Sequence, residues 1–229
     1  MSAVANPPPN IFENIQTKVL LPAFHTLSQT ASLFPDSLLF GGIALYLLTM
    51  NNVFGVFALF LFETSLFHSL VAWVIRSTYG PTPATRSAKC ETGFRVPRLE
   101  VERIFPSNSW PSRHIFSLYA IASYLIASTA YFQDTLVQMG PEWTPRASFA
   151  YSFIAILTLG LTLSRWMTGC DGLTEIFVAA FFGLLVGIIL FSIHKAIFGP
   201  EGINFLGLPF LVDRTRTGSD IYVCAPQAP

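Results

Sequence analysis

Five apolar stretches divide this chain of 229 residues and constrain its fold more than any other feature. A helix needs about 20 apolar residues to cross the roughly 30 Å hydrocarbon layer of a bilayer. The stretches run over 37–50, 53–75, 114–132, 147–167 and 173–193. Backbone polar groups in lipid must pair internally, and the sequence lacks the alternating pattern of a membrane β-barrel. We therefore predict an all-α, polytopic membrane bundle of about five transmembrane helices.

Composition supports a membrane environment. Hydrophobic residues make up 52% of the chain and charged residues 11%, with a net charge of zero. Soluble chains carry roughly 25% charged residues. A neutral chain has no bulk positive charge with which to bind a nucleic acid. The low charge and high apolar content make membrane lipids the expected partners. Cys90, Cys170 and Cys224 match neither a disulfide framework nor a metal-ligand spacing, and no metal or cofactor is expected.

The chain divides into a tail with an amphipathic helix over 1–36, the bundle over 37–197 and an irregular tail over 198–229. Apolar residues at near-helical spacing in 11–30 predict an interfacial helix on the membrane, and a helix packed on a partner fits equally well. The 76–113 loop and the C-terminal tail are long for connectors. They are the expected surfaces for other protein subunits.

The basic residues predict an orientation. With five spans, the N-terminus and the 76–113 loop share one side, which holds nine basic residues, and the other side holds four. The positive-inside rule places the first side in the cytoplasm and the C-terminus opposite. Which membrane is involved is not encoded in this pattern.

Two polar stretches at span ends carry groups suited to chemistry. One is Pro-Ser-Arg-His at 111–114, directly before the third span. The other runs over 164–175, between the fourth and fifth spans, and contains Arg165, Asp171 and Glu175. Counting spans places both at one membrane face. Arginines and helix N-termini favour anions such as phosphate, and His114 could move protons.

These stretches resemble the type 2 phosphatidic acid phosphatase and vanadium haloperoxidase superfamily. The sequence at 111–114 is similar to that family's Pro-Ser-Gly-His motif. Ser164-Arg165, five residues, Asp171, three residues and Glu175 have the spacing of its third motif, Ser-Arg, five residues, His, three residues, Asp. Lys89, six residues and Val96-Pro97 have the spacing of its first motif, Lys, six residues, Arg-Pro. The resemblance covers about residues 85–190.

The resemblance implies roles by position. The family's phosphate-binding groups correspond to Lys89, Ser112 and Arg165, and its leaving-group acid to His114. Its nucleophilic histidine is replaced by Asp171, and the aspartate that orients it by Glu175. Further phosphate contacts are expected from two arginines beside the motifs, Arg95, which neighbours the Val96 substitution, and Arg113, which replaces the motif glycine.

The departures favour loss of the family reaction. Asp171 and Glu175, four apart and predicted on one helix face, would repel phosphate unless they bind a cation, take up a proton or pair with Arg165, Arg113 or Lys89. We therefore expect a catalytically impaired, structural or lipid-binding membrane subunit. An active lipid phosphate or diphosphate phosphatase is the alternative, with Asp171 as an unusual nucleophile.

A second alternative is a channel or transporter, with Glu63 and His68 inside the second span on its pathway. These two residues are five apart, about 140° around a helix, so they are not expected to pair with each other. The simpler expectation is that each bonds to another helix of the bundle. His194 is expected at the interface, without a role. A disulfide between Cys90 and Cys170 is possible, because both neighbour motifs of one pocket.

Overall fold

The computed structural model describes residues 34–79, 110–141 and 143–208, and all regular structure in these ranges is helical. All five predicted apolar stretches coincide with helices to within a few residues, except that the last helix runs further than its stretch. In chain order the helices are α1 (Asp36–Thr49), α2 (Asn52–Tyr79), α3 (Arg113–Tyr131), α4 (Gln133–Met139), α5 (Thr144–Met167) and α6 (Leu173–Gly202). The prediction of helical structure is confirmed for these ranges.

Three helices, α2, α5 and α6, are long and apolar enough to cross a membrane. The pair α3 and α4, bent by 45°, makes a fourth if it counts as one span. The 14 residues of α1 are apolar but extend only about 21 Å at 1.5 Å per residue. The described residues therefore give three or four spans, and the predicted count of about five is not confirmed. The predicted N-terminal amphipathic helix lies outside the described residues.

The closest packing in the bundle joins α3 to α6. Gly183 lies against the backbone of Phe116, and Gly187 lies against Ala120 and Ser123. A Cβ atom at Gly187 would overlap both the carbonyl oxygen of Ala120 and the hydroxyl of Ser123. Small residues four apart allow membrane helices to approach this closely. Since the later glycine meets the later α3 residue, the two helices run in the same direction and begin at the same end of the bundle.

The outer surface of the bundle is apolar. Helix α5 exposes large side chains along much of its length, among them Phe149, Phe153, Ile156 and Leu159. In water such a continuous surface would be costly, whereas against lipid tails it costs little. The exposure pattern agrees with a bundle whose solvent is the bilayer.

At the end of the bundle where α3 and α6 finish, the residues after α6 pack against the helices. The helix breaks at Gly199, which has a φ of 66°. The hydroxyl of Ser128 in α3 donates to the carbonyl oxygen of Ile203 at 2.9 Å. The Asn204 side chain donates to the carbonyl of Leu208 and accepts from its N–H, both at 2.9 Å. The first part of the predicted irregular tail is therefore packed against the ends of the helices. Residues 209–229 lie outside the described ranges.

Candidate functional site

The Pro-Ser-Arg-His stretch forms the start of α3. Ser112 is the N-cap residue and is fully buried, and His114 lies in the first helical turn. The carbonyl oxygen of Pro111 accepts a hydrogen bond of 2.8 Å from Nε2 of His68, a buried residue of α2. This contact confirms that His68 bonds to another part of the bundle. Among the described residues, the Ser112 hydroxyl has no hydrogen-bond partner.

Arg113 is held by a carboxylate from α1. Its Nη2 lies 2.8 Å from Oδ1 of Asp36 and 3.5 Å from the hydroxyl of Ser65 in α2. Both members of the ion pair are partly buried, so the pairing is shielded from water. Sequence reasoning considered Arg113 as a phosphate contact or as a partner of Asp171, and it missed Asp36. The available signal was an acidic residue at the start of an otherwise apolar helix.

Arg165, in the last turn of α5, and Asp171, in the connection before α6, form a buried ion pair. Nε of the guanidinium donates to Oδ2 of the carboxylate. The side chain of Arg165 is 8% exposed and that of Asp171 is 0% exposed. Within the described ranges, Nη2 of Arg165 has no hydrogen-bond partner. One of the predicted alternatives, pairing of Asp171 with Arg165, is therefore what the structure contains.

The turn geometry explains how this pair forms. The N–H of Cys170 donates to the carbonyl of Arg165 at 3.0 Å, which folds the chain back on itself. Gly169 has a φ of 68°, a conformation that side chains disfavour. Asp171 therefore lies before α6, which begins at Leu173, while Glu175 lies in the helix's first turn. The expectation that both carboxylates share one helix face was wrong, because the helix starts two residues after Asp171.

The motif residues that the structure describes lie at one end of the bundle, as predicted, and we call it the motif-bearing end. Helices α3 and α6 begin there, and α5 ends there with Arg165 in its last turn. Asp36, at the start of α1, reaches the same end through Arg113. Lys89 and Arg95, the expected first-motif contacts, lie outside the described residues.

Cys170, in the same turn, is disulfide-bonded. The other two cysteines of the sequence, Cys90 and Cys224, lie outside the described ranges. The possibility that Cys170 enters a disulfide is therefore supported, while its suggested pairing with Cys90 stays a prediction.

A second polar cluster lies among the helices. Nε2 of His194 in α6 lies 2.8 Å from Oε2 of Glu63 in α2, and Nδ1 lies 3.0 Å from the hydroxyl of Tyr124 in α3. Glu63 therefore bonds to another helix, as expected. The side chain of His194, which the sequence places near the interface, is 1% exposed and joins three helices. Sequence reasoning had no spacing rule that could pair Glu63 with it.

Neither of these two polar clusters resembles a metal centre. Within the described residues, no cluster of three or more His, Cys, Asp or Glu side chains could hold a metal ion. Comparisons of the chain with protein-family models, curated proteins and solved structures find no match.

Proposed function

We propose that this protein is a catalytically silent membrane subunit built on a bundle similar to the phosphatase superfamily, with a structural or lipid-binding role. The observation that carries the proposal is the buried ion pair of Arg165 and Asp171. By the family resemblance, Arg165 stands at a phosphate-binding position, and Asp171 stands at the position of the nucleophilic histidine. In this chain the two groups bind each other.

The electrostatics of the pair disfavour a phosphate substrate. Asp171 neutralises Arg165 inside the protein, so an incoming dianion would meet a carboxylate as well as a guanidinium. Separating a buried ion pair leaves an uncompensated charge, which costs about 3–5 kcal/mol. Asp36 neutralises Arg113 at the same end of the bundle. Two of the arginines expected to hold phosphate are thus already occupied by carboxylates of the chain itself.

The exposed apolar surfaces support the non-catalytic part of the proposal. Phe149, Ile156 and Phe177 are each more than half exposed and need lipid or protein against them. We propose membrane lipids as partners of these surfaces. Other protein subunits are proposed to bind through the 76–113 loop and the C-terminal tail.

We expect the protein not to hydrolyse lipid phosphates. Purified protein in lipid nanodiscs is expected to release no phosphate from phosphatidate or from a polyprenyl diphosphate above the rate of empty nanodiscs. The reason is that the nucleophile position holds an aspartate engaged by Arg165. Phosphate release is measured by a colorimetric assay, with an established lipid phosphatase as the positive control.

The matched variants are His114→Ala and Asp171→His. If the native protein turns over lipid phosphate and His114→Ala abolishes that activity, the catalytically silent assignment fails and the active phosphatase alternative replaces it. An active enzyme with Asp171 as nucleophile would also lose turnover in Asp171→Ala and keep it in Asp171→His.

We also propose a membrane orientation. The count of basic residues favours a cytoplasmic motif-bearing end. Two of the residues counted there, Arg113 and Arg165, are bound to carboxylates, so their positions are explained by packing. Disulfides persist in oxidising compartments, and Cys170 lies at this end. We therefore place the motif-bearing end in the oxidising compartment, opposite to the expectation from charge, and the C-terminus in the cytoplasm.

The orientation predicts the behaviour of two C-terminal fusions in bacterial membranes. A green fluorescent protein fusion is expected to fluoresce, and an alkaline phosphatase fusion to be inactive, because alkaline phosphatase needs an oxidising compartment to form its disulfides. Cys170→Ser cannot form the disulfide, so this control variant shows whether the orientation is the same without that bond. A dark fluorescent fusion together with an active alkaline phosphatase would reverse the assignment.

A further inference from the structure

The cluster formed by Glu63, Tyr124 and His194 is separate from the motif-bearing end. Its three residues come from α2, α3 and α6, and no motif of the phosphatase resemblance includes them. Tyr124 and His194 are buried, while the side chain of Glu63 is 28% exposed. The hydrogen bonds are continuous, from the phenol through the imidazole to the carboxylate. We propose that this chain is a proton-binding site, which takes up one proton at its Glu63–His194 end.

Hydrogen-bond directions make the proton count explicit. With Glu63 ionised and His194 neutral, Nε2–H donates to the carboxylate and the Tyr124 hydroxyl donates to Nδ1. The cluster then carries one negative charge. One added proton makes it neutral, either as imidazolium beside carboxylate or as carboxylic acid beside imidazole. In the second form the acid donates to Nε2, and Nδ1–H donates to the phenol oxygen. Both forms satisfy the same two observed contacts.

Because the surrounding side chains are apolar, proton uptake is the main change in charge that the cluster can undergo. Four aromatic rings pack against Tyr124 or His194, namely Phe60, Phe191, Phe198 and Phe205. None of these side chains titrates. Lys195, next in sequence to His194, instead lies over the ring of Tyr131 at 4.0 Å. Within the described residues, the titratable groups facing His194 are therefore Glu63 from α2 and Tyr124 from α3.

An ionisable cluster among membrane helices is costly unless its groups satisfy each other. Here the partly exposed carboxylate offers an entry point for the proton, and the buried phenol closes the other end. Proton uptake would change the charge at the point where α2, α3 and α6 meet, without requiring a heavy atom to move. Proton uptake would make the charge of the bundle interior depend on pH, which the structural or lipid-binding role proposed above does not require.

The test is infrared difference spectroscopy of the protein in nanodiscs at stepped pH. We expect a protonation step with carboxyl or imidazole bands that is present in the native protein and lost in Glu63→Gln. Glutamine keeps the size of the side chain and can still bond to His194. Asp134→Asn, at an exposed position of α4, is the matched control and should leave the step unchanged.

Histidine NMR supplies a second measurement in the native protein, independent of whether the variants fold. With ¹⁵N-labelled histidine, the His194 ring nitrogens should change chemical shift at the pH of the infrared step, and His194→Gln assigns the signal. The proposal is overturned if native and Glu63→Gln difference spectra coincide, or if the His194 signal stays constant across the pH range in which the folded protein is stable.

Discussion

Replacing Gly187 with alanine is expected to disrupt the packing of α3 on α6 and to lower the unfolding temperature sharply. The added methyl group would overlap the carbonyl oxygen of Ala120 and the hydroxyl of Ser123. A hydroxyl can rotate away, but a backbone carbonyl can move only with its helix. Overpacking of this kind costs about 1–3 kcal/mol and occasionally more. Thermal unfolding in nanodiscs, followed by tryptophan fluorescence, measures the effect.

The control is alanine at Gly160 in α5, where no described atom beyond the helix's own neighbouring backbone lies within 4 Å of the added carbon. Alanine is favoured over glycine in a helix by about 1 kcal/mol, so Gly160→Ala should be neutral or slightly stabilising. Gly183→Ala should resemble Gly187→Ala, since its methyl group would overlap the carbonyl oxygen of Phe116. Equal unfolding temperatures for the native protein and Gly187→Ala would contradict the close helix contact.

The positions of the helices could be predicted because they depend on local sequence. A run of apolar residues bounded by polar ones defines a membrane helix, and α5 and α6 begin within three residues of the predicted starts. The number of spans was harder, because α1 is apolar but short. The glycine pair at 183 and 187 has the spacing of a helix-packing motif, and it was an overlooked signal that could have predicted the α3–α6 contact.

The partners of the charged residues could be predicted only in part. Arg165 and Asp171 are six residues apart, so a turn between two helices can bring them together, and their pairing was among the expected alternatives. Arg113 and Asp36 are separated by 77 residues, and Glu63 and His194 by 131. Such contacts depend on how helices pack, for which the spacing of residues along the chain gives no rule.

Replacing Asp171 with alanine is expected to destabilise the bundle and to create a response to inorganic phosphate. The guanidinium of Arg165 would remain buried without its partner, at a cost of about 3–5 kcal/mol. An oxyanion can then take the place of the carboxylate against Arg165, whose Nη2 has no hydrogen-bond partner within the described residues. Phosphate or vanadate should therefore raise the unfolding temperature of Asp171→Ala while leaving the native protein unchanged.

Two controls separate this effect from general salt stabilisation. Asp134→Ala removes an exposed carboxylate and should neither destabilise the protein nor create a response to phosphate. Removing both members of the pair, in Arg165→Leu with Asp171→Leu, should recover much of the stability, because apolar residues often replace a buried ion pair without loss. That double variant should not respond to phosphate. If phosphate stabilised the native protein as much as Asp171→Ala, then Asp171 would not occupy the anion position, and the main support for a silent site would be lost.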